Sequence, residues 1–149
     1  MLERDSNILN YSHMINEKKK LVFMLIADQD DRLLTAETLQ ELGHNVPIRF
    51  LSRSVELFEA LKEQTPSIIL IDYNTTPDTG LDILKELKAN LAYSSIPVVI
   101  LTDSPLWQHH AECYSNGAST VIKKPETSQM TTNKISIFFD YWVNVAETL

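Results

Sequence analysis

The chain has 149 residues, and its 13 basic and 20 acidic residues give a formal net charge of −7. This length fits one domain with a sizeable buried core, and a composition of 44% hydrophobic and 22% charged residues is ordinary for a globular protein. The acidic balance has the wrong sign for neutralising the phosphates of a duplex, so no nucleic acid is expected as a partner.

The cysteine count and the hydropathy bear on location. Cys113 is the single cysteine, so no intrachain disulfide can form and a reducing compartment is indicated. Residues 1–20 lack the apolar core of a signal peptide, and the chain has no apolar run long enough for a membrane span. We therefore expect a cytoplasmic location and no membrane partner.

The first 20 residues are polar and weakly periodic, and they end in three consecutive lysines, Lys18 to Lys20. Such a segment is typical of a solvated arm rather than of a packed core. The sequence predicts a flexible N-terminal arm over residues 1–20 and one domain over residues 21–149.

Three strongly apolar runs of strand length follow, at residues 21–27, Ser67–Asp72 and Ile96–Thr102. Apolar runs without polar alternation indicate strands that are buried on both faces, as in the interior of a parallel sheet. Two weaker strands are predicted at Val46–Leu51 and Ser119–Lys123.

Four helical patterns alternate with these strands, with Ser54 and Ser104 as the expected N-caps of the second and the fourth. Short connections between alternating strands and helices predict right-handed βαβ units. The expected fold is α/β, with a five-stranded parallel sheet doubly wound by helices on both faces. The four helices are predicted at Asp31–Leu42, Val55–Glu63, Leu81–Asn90 and Pro105–Asn116.

The last segment, Thr127–Leu149, is predicted to form a closing helix that packs on the sheet. Ile137 and Tyr141 fall outside its apolar stripe and form a second apolar patch. A homodimer contact is one interpretation of that patch, and scattered surface hydrophobic residues are the other. The stripe itself consists of Ile135, Phe138, Phe139, Trp142, Val145 and Ala146.

Polar side chains come at the ends of the predicted strands: Asp28, Asp72, Thr102 and Lys124. Because ligands of open parallel sheets bind outside the carboxyl ends of the strands, these four side chains are expected to converge at one edge. Either aspartate alone would equally suit a turn or a helix N-cap. Together, carboxylates, a hydroxyl and an ammonium suit an oxyanion and a hard divalent cation such as Mg²⁺.

At these positions the sequence resembles the receiver domains of bacterial two-component response regulators. The matching stretches end in Asp28, Asp72, Thr102 and Lys124, and the Asp72 stretch continues through Tyr-Asn to a later Gly-Leu pair. The spacings also agree with that family, with 30 residues from Asp72 to Thr102 and 22 from Thr102 to Lys124. The resemblance implies a flavodoxin-like (βα)5 receiver fold.

The resemblance also implies roles for these residues. Asp72 would accept a phosphoryl group from the phosphohistidine of a sensor histidine kinase or a phosphotransfer protein. Mg²⁺ would be held by Asp28, the Asp72 carboxylate and the Asn74 carbonyl. Lys124 would pair with the transferred group, and the Thr102 hydroxyl would move toward it. Such a domain is a switch and not an enzyme beyond its own phosphorylation and dephosphorylation.

The sequence departs from the family pattern at several places. Gln29 stands where receivers carry a second acidic residue, and the connection after the first strand is about two residues short, which makes Asp30 the nearest substitute. Asp103 occupies a position that is usually small, where its carboxylate would repel an incoming phosphoryl group. Val121 replaces the usual aromatic residue. These departures favour a second hypothesis, a phosphorylation-independent adaptor with the same fold.

Two further considerations concern function. Only 24 residues follow Pro125, which is room for one helix, so output through protein contacts is expected. A haloacid-dehalogenase-like phosphatase also uses an aspartate at a strand end. That class needs a second aspartate two residues later, where this chain has Asn74.

Overall fold

The computed structural model describes residues 20–41, 43, 46–124 and 128–148, with the side chains of residues 128, 129 and 131 left aside. The predicted arm up to residue 19 and Pro125 lie outside the described residues. None of the helices within the described part has the length and hydropathy that crossing a membrane requires.

Five strands and five helices alternate along the described part of the chain, and the last helix continues into a π-helical segment. Most boundaries lie within two residues of the predicted ones. The elements are β1 (Val22–Leu25), α1 (Gln29–Glu41), β2 (Ile48–Leu51), α2 (Ser54–Glu63), β3 (Ile68–Asp72), α3 (Gly80–Ala89), β4 (Val98–Thr102), α4 (Trp107–Ser115), β5 (Thr120–Lys123), α5 (Ser128–Phe139) and the π-helical segment Asp140–Val145.

The five strands form one parallel sheet in the order β2-β1-β3-β4-β5. This confirms the doubly wound α/β fold. The strand order reverses direction between β1 and β3, and a crevice for ligands opens at such a reversal. In the register of the sheet, Asp72 lies opposite Leu101, and Thr102 lies opposite Lys123. The polar strand ends therefore lie side by side at one edge.

The core consists of two apolar layers, one on each face of the sheet, because successive strand residues point to opposite faces. Residues such as Phe23, Ile69 and Ile71 pack against α2 and α3. Residues such as Met24 and Leu70 pack against α1 and α5. All four residues of β1 and all five of β3 are buried, as the continuous apolar runs predicted.

Both serine N-caps expected from the sequence are wrong. Ser54 is the first residue of α2, after Arg53, and its hydroxyl donates instead to Asp78 Oδ2 at 2.8 Å. Helix α4 begins two residues after Pro105, because the Ser104 hydroxyl bonds to His109 Nδ1 at 2.9 Å and accepts from the N–H of Leu106 at 3.2 Å. These bonds keep residues 103–106 in a loop above the end of β4.

The closing helix differs from the prediction in its last turns. From Asp140 the backbone bonds become i to i+5, which widens each turn and rotates the later side chains. Phe138 and Phe139 are buried as expected, but Val145 is 62% exposed, so its place in the predicted stripe is wrong. Val143 packs toward the core instead.

Phe139 and Ile137 give a test of this packing, since they lie two residues apart on α5 and are 1% and 70% exposed. Phe139→Ala removes a buried ring and should lower the free energy of unfolding by about 3–5 kcal/mol. Ile137→Ala should change it by less than about 0.5 kcal/mol. Urea unfolding followed by circular dichroism measures both, and similar losses in the two variants would contradict the placement of α5.

Candidate functional site

Asp72 is the last residue of β3, and its carboxylate is held from two sides. Oδ1 accepts a hydrogen bond from the backbone N–H of Asn74 at 3.0 Å, and Oδ2 accepts one from Lys124 Nζ at 2.5 Å. The residue is only 7% exposed. A buried carboxylate is stable in its charged form when it is paired and hydrogen-bonded in this way.

Lys124 follows β5, and its backbone N–H donates to the Thr102 carbonyl at 2.7 Å, which continues the strand pairing by one residue. Its ammonium contacts Asp72 and lies 3.7 Å from Asp31 Oδ2. Burial alone would lower the pKa of Lys124. The hydrogen bond to Asp72 and the charges of Asp72, Asp31 and Asp103 outweigh that effect and raise the pKa above its usual value. Lys124 therefore keeps its positive charge.

Asp28 lies three residues beyond the end of β1 and caps helix α1. Its Oδ1 accepts from the backbone N–H groups of Asp30 and Asp31 at 2.8 and 3.0 Å. This cap starts the helix at Gln29, two residues earlier than predicted. Gln29 and Asp30 are both exposed.

The early start of α1 places Asp31 at the site, whereas the sequence pattern indicated this residue only as the start of the helix. Asp31 Oδ2 is 3.7 Å from Lys124 Nζ. Burial raises the pKa of Asp31, and the charges of Asp28 and Asp72 raise it further, although Lys124 lowers it. The two-residue shortening of the connection was a signal of this shift, although it suggested Asp30 as the substitute and not Asp31.

Thr102 ends β4 and is 1% exposed, but its hydroxyl is engaged with its own loop. Oγ1 accepts from the backbone N–H of Ser104 at 3.0 Å. Ser104 is in turn bonded to His109, whose ring stacks on Tyr73 with centroids 5.6 Å apart. The loop after β4 is thereby connected to the loop after β3.

The side chains of Asn74 and Asp103 make a second connection between these two loops. Asn74 Nδ2 donates to Asp103 Oδ1 at 2.9 Å, and both residues are exposed. Asp103 is close enough to Lys124 for its charge to act on the ammonium. The exposed bridge between Asn74 and Asp103 therefore lies beside Asp72 and Lys124.

Gly80 shows why the Gly-Leu pair after Asp72 is needed. A Cβ at Gly80 would lie 2.8 Å from the Asp72 carbonyl oxygen and 2.8 Å from Tyr73 Cα, which real side chains essentially never do. Helix α3 begins at this residue, directly behind the end of β3, and Thr79 and Asp82 close a capping box. The glycine lets the helix approach the strand that carries Asp72.

Val121 occupies the position at which the receiver pattern has an aromatic residue. It is half-buried in β5, and its backbone N–H donates to the Tyr114 hydroxyl at 3.0 Å. Tyr114 is on α4 and is 51% exposed. An aromatic side chain therefore does lie beside β5, but it comes from the neighbouring helix.

The donor set at this edge fits a magnesium ion. Mg²⁺ prefers oxygen ligands and is held in proteins by one or two carboxylates, with water completing its shell. Asp31 and Asp72 flank Lys124, and Asp28 acts electrostatically on Asp31. Within the described residues, no three His, Cys, Asp or Glu side chains lie close enough to form a metal cluster by themselves. Backbone carbonyl groups and water would have to supply further ligands.

A five-stranded doubly wound sheet with a buried aspartate and a lysine at the carboxyl edge defines a receiver-type signalling domain. The family model described as response regulator receiver domain matches residues 24–136. The chain belongs to this family, and its class of function is two-component signalling.

Individual relatives are similar at a distance. The virulence transcriptional regulatory protein PhoP of Salmonella typhimurium is 30% identical over 87 residues, which are 58% of this chain and 37% of PhoP. The two-component response regulator ARR6 of Arabidopsis thaliana is 28% identical over 138 residues, 84% of this chain and 73% of ARR6. Among solved structures, the Mn²⁺-bound form of response regulator Rcp1 has a TM-score of 0.80 at 20% identity, covering 87% of this chain and 99% of that one. At this identity, the similarity to Rcp1 shows a shared fold.

The Lys124 ion pair predicts an effect on stability. Lys124→Met removes the cation that Asp31, Asp72 and Asp103 share. It should lower the free energy of unfolding near pH 7 by about 1–2 kcal/mol. That is less than for a fully buried pair because the Lys124 side chain is 28% exposed. Since the pKa of Lys124 is raised, its contribution is present below pH 10.5 and fades as the pH rises above that value.

Urea unfolding near pH 7 and at about pH 11 measures this contribution. The matched control is Lys85→Met, which removes the same charge from an exposed position on α3. A loss no larger than that of the control near neutral pH would contradict the role of the ion pair.

Proposed function

We propose that this domain is a phosphorylation-driven switch in which Asp72 accepts a phosphoryl group from a sensor histidine kinase or a phosphotransfer protein. The observation that carries this proposal is the buried Asp72 carboxylate at the carboxyl edge of the sheet, hydrogen-bonded to Lys124. A carboxylate can act as a nucleophile toward phosphorus, and a fixed ammonium beside it stabilises the charge that spreads over the phosphoryl oxygens.

In the transfer, a carboxylate oxygen of Asp72 attacks phosphorus, and a new P–O bond forms. The P–N bond to the partner's imidazole breaks, and its electron pair stays on the nitrogen, which no longer carries the phosphoryl group. Lys124 would exchange its contact with the carboxylate for one with the phosphoryl oxygens. The Thr102 hydroxyl would leave the N–H of Ser104 and turn toward the same group.

Mg²⁺ belongs to this proposal as a neutralising charge between the donor and the acidic site. Asp72 and the Asn74 carbonyl would hold it, together with Asp28 and Asp31. One carboxylate oxygen of Asp28 is bonded to the N-terminus of α1. Asp31 would therefore supply the second carboxylate, which the uncharged Gln29 does not provide. In this way a carboxylate from the first turn of the helix replaces the acidic residue of the family pattern.

The proposal also includes the location of the protein, its output and its oligomeric state. A cytoplasmic location suits a partner kinase with a cytoplasmic transmitter, and output would pass through protein contacts. The homodimer stays a hypothesis, which the exposure of Ile137, Tyr141 and Val145 along one side of the closing helix favours. The chain matches only 37% of the length of PhoP, so the activities of whole regulators are not transferred to it.

Phosphorylation of Asp72 is tested by intact-mass spectrometry after incubation with acetyl phosphate, with and without Mg²⁺. We expect one phosphoryl adduct that depends on Mg²⁺, persists in Asp140→Asn and is absent in Asp72→Asn. Asp140 is an exposed aspartate of the π-helical segment and serves as the matched control.

A folded protein that forms no adduct and binds no Mg²⁺ would overturn the switch. That outcome would favour the phosphorylation-independent adaptor, the hypothesis that Gln29, Asp103 and Val121 support. Fold integrity is checked by circular dichroism in the same samples.

The metal site is tested by titrating Mg²⁺ into the protein in a calorimeter. Asp31→Asn removes the carboxylate beside Lys124 and should weaken Mg²⁺ binding by roughly tenfold or more. Asp30→Asn makes the same change at the exposed neighbour and should have a much smaller effect. Equal effects of the two substitutions would show that Asp31 acts only through general charge.

A further inference from the structure

The hydrogen-bonded bridge between Asn74 and Asp103 is exposed and lies beside the Asp72 site. Asn74 contacts Asp72 through its backbone N–H at 3.0 Å and contacts Asp103 through its side-chain amide at 2.9 Å. Asp103 follows Thr102, whose carbonyl is bonded to the backbone of Lys124. The carboxylate of Asp103 is therefore fixed between the two loops that flank the phosphoacceptor.

This position matters because of charge. Asp31 and Asp72 both lie close to the Lys124 ammonium, and the charge of Asp28 acts on Asp31. Asp103 adds a fourth carboxylate to this group; it is exposed to solvent, and its charge also acts on the Lys124 ammonium. Its hydrogen bond to Asn74 holds this charge in one place, whereas a free surface aspartate would move away from an incoming anion.

We propose that Asp103, held by Asn74, is a specificity-determining residue that selects phosphodonors by their charge and disfavours small dianionic donors. The inference rests on the proposed function, since it concerns phosphorylation of Asp72. With a small acyl phosphate, Asp72 forms the new P–O bond, and the P–O bond to the acyl group breaks. The carboxylate product leaves with the electron pair, so no further reactant is needed.

Two substitutions separate charge from size. Asp103→Asn keeps the side-chain length and an oxygen that accepts from Asn74, and it removes the negative charge. Asp103→Ala removes the charge and the bridge together. Glu86→Gln is the matched control, because it makes the same charge change at an exposed position on α3.

The experiment measures the initial rate of adduct formation by intact mass near pH 7 at saturating Mg²⁺. The donors are acetyl phosphate, which is a dianion at that pH, and phosphoramidate, which is mainly a monoanion. Asp103→Asn and Asp103→Ala should both raise the rate with acetyl phosphate by about three- to tenfold, and the rate with phosphoramidate by about two- to threefold. In about 1 M salt, where the Debye length is about 3 Å, the ratio of variant to wild type should approach one.

Each outcome decides the inference. Rates in Asp103→Asn that match the wild type or Glu86→Gln overturn it and leave the proposed function intact, because the wild type still forms its adduct. A salt-independent rise in Asp103→Ala alone also overturns it, since the bridge would then act by blocking access. An adduct in Asp103→Asn but not in the wild type supports it. No adduct in any folded variant overturns this inference and the proposed function together.

Discussion

The ion pair between Asp72 and Lys124 is the contact on which the site is built. It joins the end of the central strand β3 to the residue after the edge strand β5, across β4. The backbone hydrogen bond between Lys124 and Thr102 fixes the distance between the Lys124 backbone and the Asp72 carboxylate. A buried carboxylate at this point would be costly without that partner. The ion pair therefore connects the chemistry of Asp72 to the position of β5 and of the helices that pack against it.

Negative charge exceeds positive charge at this edge, and the fold offsets part of the difference. Asp28 caps α1 and Asp31 lies in its first turn, where the free N–H groups and the helix dipole favour carboxylates. Asp28 satisfies two of those N–H groups directly. The negative charge that the helix does not offset is balanced by Lys124 and would be balanced further by a bound cation. The same carboxylates therefore account for both the ion pair and the proposed metal site.

Much of this arrangement could be predicted from the sequence, and the exceptions have physical causes. The apolar runs predicted the strands, and the polar residues at the strand ends predicted that Asp72 and Lys124 lie at one edge of the sheet. The ion pair between them was not predicted. Asp31 could not be identified as a site residue from spacing alone. The direction of its side chain depends on the residue at which the Asp28 cap starts the helix. The exposure of Val145 escaped prediction for a similar reason, since a change from α to π turns alters which side of the helix a residue faces.

Lys20, at the start of the described chain, donates through its ammonium to the carbonyls of Trp142 and Ala146 at 3.2 and 2.8 Å. The backbone that leads into β1 therefore lies beside the end of the closing helix. Through Lys20, a displacement of either segment is passed directly to the other.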